Sequence, residues 1–346
     1  MHALWSDKRD NGWRPFHIIN LTLNIVSGNR LSWQERKAAP FTVSPLHCGT
    51  GITGGQGVAS ADSGAFRLST EYGSGISLGT AMAISGAAVS PNMGYHSSPA
   101  VTFLMSMLNV RLGWWLGNPA FERGRPYEKD GPTWSLVPLL QEALGLTTDE
   151  RKYIYLSDGG HFENLGLFEM IRRRCRFILA IDSGCDADFS FEDLANAVRK
   201  ISVDLGVTIK FYDLERLHKR ADDAVPGRGH VYHAVGEIDY RNADGAAENG
   251  IIIYIKPSYH GSGDAGIKGY ATANPDFPHE STLDQWFSES QFESYRSLGF
   301  EIMDSVLKRA MQESTCADAP SLETIFEVFY RSALTQSAMN KAVAGT

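Results

Sequence analysis

Cysteine is scarce: four residues (Cys48, Cys175, Cys185, Cys316) in 346, with no CxxC pair. That excludes the disulfide framework of a small secreted domain and implies a reducing, cytoplasmic setting. With no CxxC and no HExxH there is no recognisable zinc ligand set, so no metal is expected. A Walker lysine is missing too, and no cofactor is expected. The N-terminal stretch MHALWSDKRDNGWRPFHIIN has no signal-peptide apolar core. No run of 18 or more apolar residues occurs, so no membrane-spanning helix is expected. The nearest candidate, PAVTFLMSMLNVRLGWWLG at 99–117, is interrupted by Asn109 and Arg111 and reads as a buried helix. The other reading of that stretch sets Trp114 and Trp115 at a lipid interface. A cationic excess is absent as well: 32 Lys and Arg against 40 Asp and Glu give a net charge of −8. No nucleic-acid partner is implied, and the run Arg172-Arg173-Arg174 reads as the solvated, dipole-complementing end of a helix.

What remains is an ordinary globular composition, 43% hydrophobic and 21% charged. FHIINLTLNIV at 16–26 is strand or helix. Residues 45–79 read as loops, 77–89 as a helix, and 118–134 as part of a surface excursion near 92–150. From Tyr153 the order sharpens: strand YIYLSD, a helix over about 165–175, strand RFILAIDSG, helix 190–205 and strand VTIKFYD. The helix carries its apolar residues at Phe191, Leu194, Val198, Ile201 and Leu205. This β-α-β-α-β order predicts a parallel sheet with helices packed on it. Two antiparallel strands at 230–240 and 250–256 follow, then helices around 283–308 and 320–334. The expected division is an α/β domain over 1–310 and a helical tail over 311–346.

The stretch YIYLSDGGHFENLGLFEM (153–170) concentrates the chemistry. Asp158 ends a strand, where open α/β sheets build their sites. Gly159 and Gly160 allow a sharp turn and close backbone approach, and Asn164 suits the N-cap of the helix after it. Catalytic carboxylate and Asx-turn residue are equally compatible with these residues. His161 and Glu163 could orient a substrate, although His161 reads more simply as a turn residue. Asp182 also ends a strand and reads as a loop hydrogen-bond acceptor.

One literal GxSxG lies at Gly75–Gly79 and offers Ser77 as a nucleophile. The polar RLSTEYGS before it is not the buried strand that such an elbow needs, so Ser77 also reads as a helix N-cap. Ser85 lacks the glycines, and Thr53 has no strand before it. Gly49-Thr50-Gly51-Ile52-Thr53-Gly54 matches GxGxxG, a weak nucleotide signal without a following helix.

Two blocks together carry a resemblance. AMAISGAAVSP (81–91) looks like the Ala-Ser-x-Ala-x-Pro block of patatin-like phospholipases, and DGGHFENLGLFEM (158–170) looks like their DGG motif with its downstream Asn. From GWRPFHIIN to FPHESTLDQWFSESQFESYRSLG the chain resembles a bacterial, cytosolic-phospholipase-like branch of that family. The resemblance implies a three-layer α/β sandwich with a mainly parallel sheet. It also implies a Ser-Asp dyad hydrolysing acyl esters of lipids, with Asp158 as the acid and Gly159 and Gly160 beside it. In the family the serine elbow stands well before the Ala-Ser-x-Ala-x-Pro block, whereas Ser77 precedes Ser85 by only eight residues. The chain is thus expected to be a C-terminal part without the N-terminal strands, carrying the acid and lacking its serine. The expected partners are a lipid or acyl ester, a membrane surface and, through an open sheet edge, other copies of the chain. A non-catalytic lipid-binding or interaction module is the alternative, with a short enzyme using Ser77 as a further one.

Overall fold

A computed structural model describes residues 15–26, 36–51, 65–88, 112–134, 136–144, 146–220, 231–245, 247–261, 264–282, 284, 286–313 and 320–344. The chain divides into two compact units, Met1–Gly166 and Leu167–Thr346.

The first unit contains strands β1 (Ile19–Asn24), β2 (Ala38–Val43), β3 (His47–Thr50), β4 (Ala65–Leu68), β5 (Trp114–Gly117) and β6 (Tyr153–Asp158). Helices α1 (Leu78–Ser85) and α2 (Leu136–Ala143) accompany them. The strands form one sheet in the order β4-β3-β2-β1-β6-β5, curled into a half-barrel, and every pairing is antiparallel. Strict alternation in INLTLN explains β1. Leu21 and Leu23 point into the core with Phe41, Val43, Ile154 and Leu156, while Thr22 and Asn24 lie on the opposite face. Ala81 and Ile84 of α1 close that core.

The second unit contains α3 (Leu167–Arg172), β7 (Phe177–Ile181), α4 (Glu192–Leu205), β8 (Thr208–Tyr212), β9 (His233–Asp239), α5 (Arg241–Asp244), β10 (Gly250–Ile255), α6 (Ala265–Ala273), α7 (Glu289–Glu313) and α8 (Leu322–Ala344). Its sheet runs β7-β10-β9-β8; β7 and β10 are parallel, and the other two pairings are antiparallel. Ile253 and Ile255 of β10 pack with Ile267, Leu298, Ile302, Phe326 and Phe329 from α6, α7 and α8. On the other face the Tyr254 ring meets Phe191, just before α4, edge-on at 6.3 Å.

The mainly parallel three-layer sandwich is thus corrected to a curled antiparallel sheet and a separate mixed sheet. β6 does not lead a parallel unit: it lies between β1 and β5 and runs antiparallel to both. Tyr155 and Leu156 are both fully buried although they point to opposite faces. An antiparallel strand covered on both sides has the composition of a central parallel one. Two local readings change as well. Residues 114–117 form β5 rather than the end of a helix, with the Trp115 ring packed at a tilt against Tyr155, centroids 5.4 Å apart. The remainder of the 99–117 stretch, up to residue 111, lies outside the described residues. Residues 45–79 hold β3 and β4, with 52–64, including the second half of the GxGxxG match, outside the described residues.

Candidate functional site

At Asp158 the strand ends in a 3-10 turn over Gly159–His161. Asp158 Oδ1 accepts from Gly160 N at 2.6 Å, which is an Asx-turn. A Cβ on Gly159 would stand 2.5 Å from the Asn20 carbonyl oxygen, so only glycine fits there. A Cβ on Gly160 would meet Asn164 Oδ1 at 2.8 Å. Asn164 therefore sits over the turn rather than at the N-cap of α3, which begins at Leu167. His161 joins this packing. Its Nε2 faces the Ala88 carbonyl at 3.1 Å and its Nδ1 faces Ser157 Oγ at 2.9 Å, so a neutral ring donates to the carbonyl and accepts from the serine. Ser157 is fully buried and also accepts from Asn24 Nδ2 at 2.8 Å, which closes it to substrate.

The serines at the two ends of α1 occupy different places. Ser85 Oγ donates to the Asn20 carbonyl at 2.8 Å, beside Gly159. Ser77 is the N-cap, accepting from Thr80 N at 2.9 Å. One helix length, about 12 Å at 1.5 Å per residue, separates the two serines. The structure brings Asp158, Gly159, Gly160 and Asn164 together and leaves Ser77 at the far end of α1.

A second concentration of chemistry lies in the other unit, at the carboxyl ends of the parallel pair β7 and β10, where such sheets bind ligands. Ile181 stands opposite Ile255 there, and just beyond them Asp182 and Lys256 are both buried. Lys256 Nζ donates to Asp182 Oδ2 at 2.8 Å and lies 3.4 Å from Asp186 Oδ2. The Tyr254 hydroxyl also donates to Asp182 Oδ2, and Gly184 N donates to Asp182 Oδ1 at 2.9 Å. Burial raises the Tyr254 pKa, and its bond to Asp182 raises it further. For Asp186, burial acts upward, but amide and hydroxyl donors from Phe191 and Ser190, with Lys256 nearby, outweigh it and lower the pKa. His279 braces the same corner: Nδ1 accepts from Asp186 N at 3.1 Å and Nε2 donates to the Pro257 carbonyl at 2.9 Å. Burial lowers its pKa, which keeps the ring neutral. Asp182 is the loop acceptor expected of it, and it is also half of a buried ion pair.

This network anchors one wall of a cavity of about 690 Å³. Ile181, Ile255 and Pro257 line that wall, and Leu298, Ile302 and Met303 of α7 line the opposite one. Phe287, Phe292 and Tyr295 add aromatic surface, and the free thiol of Cys185 borders the space. One carboxylate, Glu280, faces it. Glu280 accepts from the Tyr270 hydroxyl at 2.9 and 3.1 Å, and its amide donates to the Tyr295 hydroxyl at 3.2 Å. Burial, and then Glu280, push Tyr270 up to about 12.

None of these cavity residues was singled out in the sequence. The one available signal was the density of aromatics in FPHESTLDQWFSESQFESY (277–295). The arginine run, expected to be solvated, is ion-paired. Arg172 grips the buried Glu169 with both Nε and Nη2 at 2.8 Å, Arg173 adds a contact at 2.6 Å, and Arg174 pairs with Asp244. Among the described residues no group of three His, Cys, Asp or Glu side chains is arranged to hold a metal ion, and no helix is long and apolar enough to cross a membrane. No protein-family model and no curated protein matches this chain.

Proposed function

We propose that the chain is a lipid-binding module, and that the cavity between β7, β10 and α7 receives the apolar chain of an amphipathic ligand. The observation that carries this reading is the cavity itself. It is large and its surface is mainly apolar, from Ile, Leu, Met, Pro and aromatic side chains, with a minority of polar groups such as Glu280 and Gln291 to fix orientation. Lipids are also the ligand class implied by the sequence resemblance. On this reading the protein is cytoplasmic and meets its ligand at or from a membrane surface. The test is a homologous series of neutral alkyl maltosides, titrated below their micellar concentrations by calorimetry. Each added methylene should tighten binding about fourfold, from about 0.8 kcal/mol of transfer free energy per CH₂. Affinity independent of chain length would refute the reading.

A second reading is acyl ester hydrolysis with Asp158 as the base. One observation favours it: the half-buried carboxylate stands beside Gly159 and Gly160 and, among the described residues, only its Oδ1 is engaged, by Gly160 N. It requires a serine other than Ser77. Turnover of a p-nitrophenyl ester that is unchanged in Asp158→Asn would dispose of it.

A further inference from the structure

We infer that the cavity selects a cationic amphiphile, one whose apolar chain fills the space and whose alkyl-ammonium group pairs with Glu280; this rests on the lipid-binding reading above. Among the described residues Glu280 is the only carboxylate lining the cavity. Its side-chain partners are neutral: the Tyr270 hydroxyl at 2.9 and 3.1 Å, Gln291 Nε2 at 3.5 Å, and the Tyr295 hydroxyl. Among the described residues no ion pair includes it. The nearby cation of the lining, Arg296, has both Nε and Nη2 committed to Glu293, at 2.8 and 2.6 Å. A carboxylate offers about four acceptor positions, and these few neutral donors, one of them long, do not neutralise its charge.

A carboxylate held half-buried by neutral donors, without a counter-charge, favours a cation and disfavours an anion. The rings around it are suited to the same charge. Phe287, Phe292 and Tyr295 line the cavity, and aromatic faces attract ammonium groups, quaternary ones included. The Tyr295 hydroxyl, which receives the Glu280 amide, holds the carboxylate's own backbone at this wall. An anionic amphiphile such as a fatty acid would bring like charge against Glu280. A neutral one would gain the apolar contacts alone.

The test compares decyltrimethylammonium, decyl maltoside and decanoate below their micellar concentrations, on the full chain and on Glu280→Gln. The cation should bind the unaltered protein about tenfold or more tightly than the maltoside, with decanoate weakest. Glu280→Gln should erase the cation's advantage and leave maltoside binding within about twofold. A parallel sedimentation arm with phosphatidylcholine vesicles separates sources of the group. Pelleting that Glu280→Gln abolishes assigns the site to a lipid head group. Binding of the free cation without pelleting assigns it to a dispersed amphiphile, and either result supports the inference. If the maltoside binds and the cation has no advantage, or keeps its advantage in Glu280→Gln, the inference is overturned and the cavity reading stands. If no amphiphile binds the unaltered chain, both fall.

Discussion

The Lys256–Asp182 pair makes an asymmetric prediction. Both side chains are 2% exposed, and their bond ties the end of β10 to the end of β7 at the cavity wall. Removing the cation with Lys256→Met leaves Asp182 buried with only the Tyr254 hydroxyl and Gly184 amide as donors. An uncompensated buried charge costs about 3–5 kcal/mol. Removing the anion with Asp182→Asn is a different perturbation, because Lys256 keeps Asp186 at 3.4 Å. The loss is then one hydrogen bond to a charged group, about 1.5–3 kcal/mol. Because the chain has two units, global unfolding is a poor reporter. Native-state hydrogen exchange on the β7 and β10 peptides reads the stability of this sheet directly. From the midpoints of these ranges, Lys256→Met should lower the opening free energy there by about 2 kcal/mol more than Asp182→Asn. Equal losses, or both losses below about 1 kcal/mol, would show that the pair does not carry the corner and refute the reasoning.

Further consequences can be measured in the same protein. Burial first, and then repulsion from Arg309 and Arg216, lower the His233 pKa from 6.5 to about 4. The folded value lies below the unfolded one, so the unfolded chain binds more protons between them. Stability of the second unit should fall as pH drops through that window, by roughly 3 kcal/mol in all, and His233→Gln should flatten the slope measured in urea. Gly159→Ala should cost about 1–3 kcal/mol, read by hydrogen exchange on the β6 and β1 peptides, because its Cβ would stand 2.5 Å from the Asn20 carbonyl. Unchanged exchange there would mean the turn has room for a Cβ. Ser77→Ala should cost about 1 kcal/mol through the lost N-cap and leave amphiphile binding untouched.

Local periodicity made most of the individual elements legible. The apolar spacing of 190–205 placed α4, with Leu194 and Ile201 buried, and the strand runs at 177–181, 208–212, 233–239 and 250–255 were each recognisable. The pairing of strands was not. β6 takes as partner β1, whose Leu21 lies opposite Asp158, far away in sequence, and no local pattern names such a partner. A clue existed in INLTLN: clean alternation of Leu with Thr and Asn marks the two unlike faces of an antiparallel strand. At Asp158 the sequence placed the turn and its glycines correctly in one neighbourhood. It could not separate catalytic from turn chemistry, since an Asx-turn and a strand-end base require the same residues. The cavity was illegible for a different reason. Ile181, Glu280 and Met303 come from a strand, a loop and a helix, and only tertiary packing sets them around one space.

The central claim, a ligand chain inside that cavity, is tested most directly at Gly299. This residue lies within α7 and lines the cavity, and a Cβ there would meet no atom within 4 Å. A side chain can therefore start at this position without a Cβ clash, and Gly299→Trp adds bulk at the cavity lining while replacing a helix-interior glycine with a better helix former, worth a few tenths of a kcal/mol or more. The account predicts a chain that is at least as stable as the parent by hydrogen exchange on α7 and that binds decyl maltoside at least tenfold more weakly. Undiminished binding in a folded Gly299→Trp protein would contradict it.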